Sequence, residues 1–388
     1  MGEEVRVGSD PRQPARVLQV IRPAVGGMKR HMLQLAAGLP AFGFQIEIAC
    51  PGDADIVHDA LELNVPVHPV PIVGPLDPLR DPLAVLALAD VIRDRKPALI
   101  HAHGFKAGLI ARLAARLSGR VPVVVTVHNP VLYRDMSSFA TWRHVTVEKW
   151  MAAHTARIIT VSDALRTELV DVYGIAACRV TTVHNGLDLS PFLVSADRGA
   201  MRARYGIPGD ALVFGIAARF APQKAMDVLV AAAMPVLERY PNAWLLLGGD
   251  GPLLEAVKTQ ARATRVRDRI LFPGFEVDVR GLLGALDVYV SSALTEGLPL
   301  GTIEAMASAL PVVSTLSGGT PEVVEDGVTG LLAAPGNSVE LTEAMLTLAR
   351  DVVIRRTMGD TGRERVLAEF TEERMFERTA AVYREVLR

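Results

Sequence analysis

Short apolar runs alternate with longer amphipathic stretches through the first half of the chain, from Arg16 to Asn185. The apolar runs are rich in Val and Ile and predict strands, whereas the stretches between them have helical periodicity. Strands that alternate with helices form parallel sheets covered on both faces, so the pattern predicts a doubly wound α/β domain. The predicted strands are RVLQVI (16–21), FQIEIAC (44–50), ALIHAH (98–103), PVVVTVH (122–128), ARIITVS (156–162) and RVTTVHN (179–185). Helices are predicted at 28–39, 106–119 and 164–174.

The alternation pauses over residues 185–211, where Pro, Gly and polar residues gather, and then begins again. We therefore predict two Rossmann-like domains, with residues 1–188 in the first and 189–371 in the second. Ligands of such sheets bind at the carboxyl ends of the strands, which predicts a site in a cleft that the two domains face. The strands predicted in the second domain are LVFGIAAR (212–219), AWLLLGG (243–249), RILFPG (269–274), VYVSS (288–292), PVVSTL (311–316) and GLLAAP (330–335).

Composition narrows the class of protein. A chain of 388 residues that is 50% hydrophobic can form two domains with a core in each. Its 41 Lys and Arg nearly balance its 43 Asp and Glu, which argues against a general nucleic-acid-binding protein. The two cysteines form no CxxC motif and predict neither a disulfide framework nor a structural zinc site. Since no apolar run is long enough to cross a membrane and the N-terminus is polar, we expect a soluble cytoplasmic protein.

Two cations follow the first strand of the second domain. Arg219 ends that strand, and Lys224 precedes the next helix. Only six of the 41 cationic residues are lysines, so the position of each is informative. A guanidinium group together with an ammonium group suits a diphosphate, although the same pair would also fit a solvated loop. The following strand ends in GGDGP (248–252), a loop around Gly249 that permits close approach of a ligand.

Two glutamates lie beside the start of a helix predicted over 299–309. The first turn of a helix has free backbone amides at the positive end of the helix dipole, where anions bind. Carboxylates next to a diphosphate are tolerated when they accept hydrogen bonds from hydroxyl groups, so the arrangement points to a sugar nucleotide. The first-turn residues are Leu300, Gly301 and Thr302, and the glutamates are Glu296 in the loop and Glu304 in the helix.

Glycine and histidine residues lie at strand ends of the first domain. Gly26 and Gly27 precede a helix, and their amides suit a phosphate, but they do not form a GxGxxG fingerprint for a dinucleotide. His101 and His103 lie in one predicted strand, and we expect them to project to opposite faces of the sheet, which disfavours a metal-binding pair. The chain also has no suitably placed acidic DxD-like triplet, so we expect no metal site.

Several segments, in chain order, resemble one enzyme family. The chain is similar to the retaining glycosyltransferases of family 4, which have the GT-B architecture and a C-terminal helix that crosses back to the first domain, here 372–388. Ala225 departs from the family pattern, because members often carry Gly after the lysine. The matching segments are RPAVGGMKRH, HNGLD, AARFAPQK, GGDGP, EGLPLGTIE with its two glutamates, and SGGTPEVVEDGVTGLLAAPGN.

The resemblance implies a UDP-, GDP- or ADP-linked sugar as co-substrate, with no other cofactor. Cations and helix amides would stabilise the leaving diphosphate without a metal ion. Retention would follow from front-face attack, with the departing phosphate oxygen taking the proton of the acceptor. The implied roles are pyrophosphate binding for Arg219 and Lys224, donor approach for Gly26, Gly27, Gly249, Leu300, Gly301 and Thr302, ribose binding for Glu304, sugar binding for Glu296, base contact for Phe275 and contact with the reacting sugar for His128.

The acceptor would be a lipid-linked glycan, a polysaccharide or a small phosphorylated molecule bound by the first domain, where His103, Tyr133 and Arg134 are candidates. Between residues 93 and 157 there are eleven Lys and Arg against three Asp and Glu. Within residues 106–157, a stripe of Arg112, Arg116 and Arg120 on one helix predicts contact with an anionic membrane surface, at the inner face of the membrane. The same stripe also fits the solvated face of a packed helix. The oligomeric state stays open.

Two other functions remain as alternatives. A nucleotide-sugar epimerase of the GT-B superfamily would use the same donor site with different chemistry. A nucleotide-sugar-binding protein without turnover would be free to lose some of the four residues Arg219, Lys224, Glu296 and Glu304, all of which are present.

Overall fold

The computed structural model describes residues 14–24, 26–74, 76–130, 138–194 and 196–388. The acceptor candidates Tyr133 and Arg134 lie outside these ranges. Contacts divide the chain into two compact units. The first comprises the chain up to Val161 together with Arg166–Val183 and Glu372–Arg388, and the second comprises Ser162–Leu165 and His184–Thr371.

Each unit contains one sheet in which all the paired strands run parallel. The first sheet has the strand order β3-β2-β1-β4-β5-β6-β7 and the second β10-β9-β8-β11-β12-β13. The strands are β1 Ala15–Val20, β2 Phe44–Cys50, β3 Val67–Pro69, β4 Leu99–His103, β5 Val123–Val127, β6 Arg157–Thr160, β7 Val180–Thr182, β8 Leu212–Ala217, β9 Ala243–Gly248, β10 Ile270–Gly274, β11 Val288–Val290, β12 Val312–Thr315 and β13 Gly330–Ala333.

Helices connect most of the successive strands, which is the doubly wound arrangement predicted from the sequence. The α-helices are α1 Gly27–Gly38, α2 Ile56–Glu62, α3 Asp81–Arg95, α4 Phe105–Leu117, α5 Ser138–Ala152, α6 Asp163–Thr167, α7 Ser190–Leu193, α8 Arg198–Tyr205, α9 Met226–Arg239, α10 Leu254–Arg262, α11 Arg280–Ala285, α12 Leu300–Ala307, α13 Thr320–Val323, α14 Ser338–Arg350, α15 Val352–Glu369 and α16 Glu372–Val386.

The predicted strands are confirmed to within a few residues, and one strand and part of one helix differ. The three-residue edge strand β3 was not predicted, because it is too short to show a period and ends in Pro69. The helix predicted over 164–174 ends as α6 at Thr167 and continues as a π-helical segment, Glu168–Val172.

The first sheet buries a different set of side chains on each face. One face, with Val17 and Ile21, packs with residues of α1 and α16. The opposite face, with Leu18 and Val20, packs with residues of α3 and α4. Because strand residues two apart share a face, this alternation follows directly from the sequence of β1.

The expectation that His101 and His103 project to opposite faces was wrong. They are two residues apart on β4, so they share a face, and their ring centroids lie 4.3 Å apart. His101 is fully buried, and its ring nitrogens lie 2.6 Å from the Tyr383 hydroxyl and 2.6 Å from the Thr126 hydroxyl. The first unit therefore contains a buried polar cluster around these two histidines, which the sequence analysis did not predict.

The predicted stripe of arginines on one helix is wrong at two positions, because Arg112 is buried and Arg120 follows the end of α4. The Arg112 side chain is buried, donates from Nε to the Thr155 hydroxyl at 2.7 Å and lies 3.7 Å from the Glu148 carboxylate. Arg116 and Arg120 are exposed, so of the three arginines only these two remain available to an anionic surface.

Within the described ranges, no helix combines the length and the apolar character that crossing a membrane requires.

Glu47 on β2 is the centre of a buried charge cluster in the first unit. Its fully buried side chain lies 2.9 Å from Arg95, 3.0 Å from Arg16 and 2.7 Å from His68. Burial by itself raises the pKa of the Glu47 carboxyl, but the hydrogen bonds and charges of Arg95 and His68 outweigh it and keep the pKa below its ordinary value.

A lowered pKa makes Glu47 a pH-dependent source of stability. Its contribution is complete above the unfolded-state pKa of about 4.3 and is lost as the pH falls through the folded-state pKa. We expect Glu47→Gln to lower the free energy of unfolding of the first unit by about 3 kcal/mol at neutral pH, and the deficit to shrink below about pH 4. Thermal unfolding between pH 3 and pH 7 measures this, with the exposed Glu62→Gln as control. A deficit that stays constant over this range would contradict the assignment.

Candidate functional site

The strand order of the second sheet identifies where a ligand site is expected. The order reverses between β8 and β11, and ligands of open parallel sheets bind at the carboxyl ends of the strands at such a point. Arg219 and Lys224 follow β8, and Glu296 follows β11. Three of the predicted site residues therefore lie at the topological switch point of one sheet.

Lys224 and Glu296 form an ion pair that joins the two loops at this point. The Lys224 side chain is about one-third exposed and that of Glu296 is mostly buried, with relative exposures of 30% and 12%. The Ser292 hydroxyl donates to the Lys224 carbonyl at 2.9 Å and to the Ala225 carbonyl at 2.8 Å, which fixes the loop after β8 to the end of β11. Arg219 is exposed, and its guanidinium pairs with no acidic side chain in the described part of the chain.

Ala225, the departure from the family pattern, adopts a left-handed conformation with φ 44° and ψ 50°. Glycine adopts this region without strain, which gives a physical reason for glycine at this position. Here alanine keeps the same turn, and Lys224 still precedes α9.

The first turn of α12 lies next to this pair in the same unit. Pro299 is the N-cap, and the amides of Leu300 and Gly301 form no backbone hydrogen bond with any described residue. The expectation of a third free amide was wrong, because the Thr302 amide donates to the Pro299 carbonyl at 3.1 Å. Two amides rather than three are therefore available to an anion at this helix end.

Tyr289 on β11 packs against the first turn of α12. The sequence analysis did not predict a role for this tyrosine. Its ring is buried, the Thr302 side chain hydrogen-bonds to it, and a Cβ on Gly301 would lie 2.8 Å from its hydroxyl. Burial raises the pKa of Tyr289, and the nearby charges of Glu296 and Glu304 raise it further. A tyrosine inside an apolar strand gave no signal in the sequence, because only the fold brings it under the α12 turn.

Glycines allow the loops of the second unit to approach one another closely. Gly249 has φ +129°, and a Cβ there would overlap the Ala218 carbonyl. Gly318 has φ +50°, and a Cβ there would overlap the Glu296 carbonyl. The loop after β12 therefore holds the backbone of Glu296 in place.

The remaining candidates of the second unit differ in exposure. Glu304 is 9% exposed within α12, and Phe275, which follows β10, is 74% exposed. An aromatic side chain exposed to that extent offers a free ring face to a flat ligand. Glu304 faces the same region as Tyr289, whose pKa its charge affects.

Candidates in the first unit cluster around three histidines. Gly26 is the N-cap of α1 and Gly27 its first residue, and the same helix carries His31. One nitrogen each of His31, His103 and His128 lie within 4.8 Å of one another, and all three side chains are buried. His103 Nδ1 lies 3.2 Å from His128 Nε2.

Two of the three histidines have a pKa that is lowered by their surroundings. Burial lowers the pKa of His103 and of His128 well below the ordinary value, and the neighbouring histidines lower both further. His103 is fully buried and His128 is 8% exposed, so contact of His103 with an acceptor stays a prediction. His31 was missed, although it follows the glycine pair by only a few residues and lies on the helix that begins there.

Family comparisons match both halves of the chain. Residues 25–191 match Glycosyltransferase Family 4, and residues 211–351 match Glycosyl transferases group 1. The chain is 30% identical over 390 residues to a D-inositol 3-phosphate glycosyltransferase of Saccharomonospora viridis, covering 93% of this chain and 90% of that one. It is 25% identical over 339 residues to a UDP-Gal:alpha-D-GlcNAc-diphosphoundecaprenol alpha-1,3-galactosyltransferase of Escherichia coli, covering 86% and 87%.

Solved structures share the fold. The Anabaena protein Alr3699/HepE, solved in complex with UDP-glucose, matches with a TM-score of 0.83 at 22% identity, covering 95% of this chain and 99% of that one. A glycosyltransferase of Rickettsia africae also matches with a TM-score of 0.83, at 18% identity, covering 97% and 99%. Both sheets of the chain therefore have counterparts in these solved structures.

Proposed function

The chain belongs to the group 1 glycosyltransferases of family 4, and we propose that it transfers a sugar, with retention, from a UDP-linked donor to a hydroxyl of a phosphate-bearing acceptor. Membership makes it a glycosyltransferase with the GT-B fold of two α/β domains. The base of the donor nucleotide, the class of acceptor and the stereochemistry of the transfer are our proposals. The observation that carries the proposal is the grouping of Arg219, Lys224, Glu296 and the α12 amides at one switch point.

The donor part of the proposal assigns each group a chemical task. The Arg219 guanidinium and the Lys224 ammonium bind the diphosphate, together with the amides of Leu300 and Gly301. Glu304 accepts hydrogen bonds from the ribose hydroxyls. Uracil as the base is supported by two similar proteins, one named for UDP-Gal and one solved with UDP-glucose.

The transfer step needs stabilisation of the negative charge that develops on the leaving diphosphate. Fixed cations and helix amides supply it without reorganisation, so we propose that no metal ion bridges the diphosphate. Glu296 then releases Lys224 to the phosphate and accepts hydrogen bonds from the sugar hydroxyls. The acceptor hydroxyl attacks C1 from the side of the leaving group, and its proton passes to the departing phosphate oxygen.

A phosphate-bearing acceptor is supported by the similar proteins and by charge. Two relatives are named for an inositol phosphate and a diphosphoundecaprenol acceptor. Arg116 and Arg120 are exposed on the first unit, and Trp142 and Trp150 of α5 are 62% and 53% exposed. Exposed cations and exposed indole rings are both typical of proteins that contact a lipid surface, so we include peripheral membrane contact of the first unit in the proposal.

A donor screen tests the proposal. The protein is incubated with UDP-, GDP- and ADP-linked sugars and with lipid-linked, polysaccharide and phosphorylated small acceptors, and released nucleoside diphosphate is measured. We expect release from a UDP-sugar and a product whose anomeric coupling matches that of the donor. Inversion at the anomeric carbon would contradict the proposed mechanism. An altered sugar without transfer would favour the epimerase alternative, and binding without any turnover the non-catalytic one.

Phe275 gives a separate prediction about the base. If its exposed ring stacks on the base, Phe275→Ala should weaken UDP binding about tenfold, since stacking contributes roughly 1–3 kcal/mol. Val277 lies two residues further along and is 92% exposed, so Val277→Ala serves as the matched control. Equal affinities for UDP in both variants, by calorimetry, would remove Phe275 from the site.

A further inference from the structure

We propose that Glu276 is a positioning residue for the base of the donor nucleotide, and that it acts through the loop after β10 that carries Phe275. The inference rests on the proposed donor site and deepens it, since it names a residue that sets the choice of base. The Glu276 carboxylate does not touch the ligand. It holds the backbone of residues 275–277 in one conformation.

Side chains of this loop alternate between solvent and protein. Phe275 is 74% exposed and Val277 is 92% exposed, whereas the Glu276 side chain between them is 14% exposed. This alternation is that of an extended segment, and it continues from β10 at the edge of the second sheet. The amides of the three residues form no hydrogen bond with any described residue. The exposed side of the loop therefore presents an aromatic ring and backbone amides, which suit the face and the edge of a planar base.

Two residues at the end of α8 hold the Glu276 carboxylate. Arg204 Nη2 lies 2.9 Å from one carboxylate oxygen and 3.1 Å from the other, and the Tyr205 hydroxyl donates to the first at 3.2 Å. The Arg204 guanidinium carbon also lies 5.4 Å from the centre of the Tyr205 ring, within the range of a cation–π contact. Burial, together with the charge of Glu276, raises the pKa of Tyr205 to about 12, so at neutral pH the hydroxyl keeps the proton that it donates.

The α8 helix is a rigid support for these two residues. The side chain of Arg202 is buried, donates to two backbone carbonyls from other segments and pairs with Asp287 at 2.7 Å. A helix held in this way keeps Arg204 and Tyr205 in fixed positions. Loss of their bonds to Glu276 should therefore release the loop rather than the helix.

The loop is also fixed at both ends. At its start, the Gly249 amide donates to the Gly274 carbonyl at 2.7 Å. At its end, the Asp278 carboxylate accepts a hydrogen bond from the Arg280 amide at 3.0 Å, in the first turn of α11. The Glu276 carboxylate therefore restrains the part of the loop that lies between these two points.

A restrained loop favours one size of base over another. It offers a single geometry, so little ordering is needed when a base of matching size binds, whereas a base of another size must deform it. Uracil has one ring and adenine has two. Because specificity is a difference between two affinities, release of the loop should weaken binding of UDP more than binding of ADP.

Calorimetric titration of UDP and ADP into the full chain tests the role of Glu276. We expect Glu276→Ala to weaken UDP binding about tenfold, because the released residues must be ordered on binding, and ADP binding by less than about threefold. The donor KM should rise by about the same factor as the Kd of UDP, while kcat changes by less than about twofold, since the loop does not touch the reacting atoms. Glu276→Gln keeps an oxygen that accepts hydrogen bonds from Arg204 and Tyr205, so it should retain most of the affinity.

A double variant tests whether Glu276 acts through α8. Arg204→Ala should cause part of the same loss, and its addition to Glu276→Ala should change little, because both substitutions remove one contact. The control is Glu255→Ala in the same unit, since the Glu255 side chain is 74% exposed and pairs with Lys258 at the surface. It should leave both affinities unchanged.

Three results would overturn the role of Glu276: unchanged UDP affinity in Glu276→Ala, equal losses for UDP and ADP, or losses that multiply in the double variant. Arg204 is 55% exposed, and exposed ion pairs contribute little to stability, so Glu276→Ala should fold. If it does not, Tyr205→Phe removes one hydroxyl and must still narrow the ratio of the UDP and ADP affinities. A wild type that binds no nucleotide would contradict the proposed donor site itself, whereas a wild type that binds UDP and a variant that matches it contradict only the role of Glu276.

Discussion

Lys224→Ala is expected to lower kcat/KM for the sugar donor by about 100- to 1000-fold, the size of effect seen when one preorganised charge-stabilising group is removed from a transition state. The ammonium lies at the switch point of the second sheet and is held there by Glu296 and by the Ser292 bonds to its loop. Because the diphosphate gains negative charge as the sugar leaves, most of the loss should appear in kcat rather than in KM.

Lys258→Ala is the matched control for Lys224→Ala. Lys258 belongs to the same unit, lies on α10 and forms a surface ion pair with Glu255 at 2.8 Å. Steady-state kinetics of both variants should separate a loss specific to the site from a general effect of losing a lysine. A kcat/KM for Lys224→Ala within about twofold of the control would remove the ammonium from the mechanism.

Gly318→Ala is expected to lower kcat about 100-fold without unfolding the second unit. A Cβ at this position would overlap the Glu296 carbonyl, and Gly318 also has φ +50°, which disfavours any side chain. The loop that carries Glu296 must therefore shift, and a displacement of about 1 Å in a catalytic group costs on the order of 100-fold. The shift would also break the ion pair that positions Lys224.

Gly327→Ala is the matched control for Gly318→Ala, because it introduces the same kind of backbone strain without displacing the loop that carries Glu296. Gly327 has φ +74° but nothing lies within 4 Å of a Cβ built there. It should therefore show the strain cost in thermal unfolding, about 1 kcal/mol, with kcat unchanged. Equal kcat losses in Gly318→Ala and Gly327→Ala would mean that strain, rather than the position of Glu296, limits the reaction.

The order of apolar and polar residues predicted the architecture, because most of the strands are apolar runs that can be recognised without knowing their partners. The strand RVLQVI and the run LVFGIA of β8 are apolar and bounded by polar or glycine residues, and both appear within a residue or two of prediction. The first turn of α12 was placed correctly for a similar reason, since Pro299 precedes it. The motifs at strand ends then located the candidate site, because parallel strands share one carboxyl edge.

Contacts between distant segments explain what the sequence did not predict. Arg112 occupies a polar position of an amphipathic pattern, but its partner Glu148 comes from another helix, so burial was not readable locally. The histidine cluster joins α1, β4 and β5, and Tyr289 meets α12 only in the folded unit. The error over His101 and His103 was different, because the period of a strand was sufficient to place them on one face.

Calorimetric titration with UDP, GDP and ADP in the presence of EDTA tests the central claim most directly, because it reports on the donor site without an acceptor. The account predicts that UDP binds with chelator present and that Glu304→Ala and Lys224→Ala each weaken binding at least about tenfold, since a hydrogen bond or ion pair to a charged group contributes roughly 1.5–3 kcal/mol. Binding that disappears with EDTA, or an affinity unchanged in both variants, would contradict a metal-free donor site at the carboxyl edge of the second sheet.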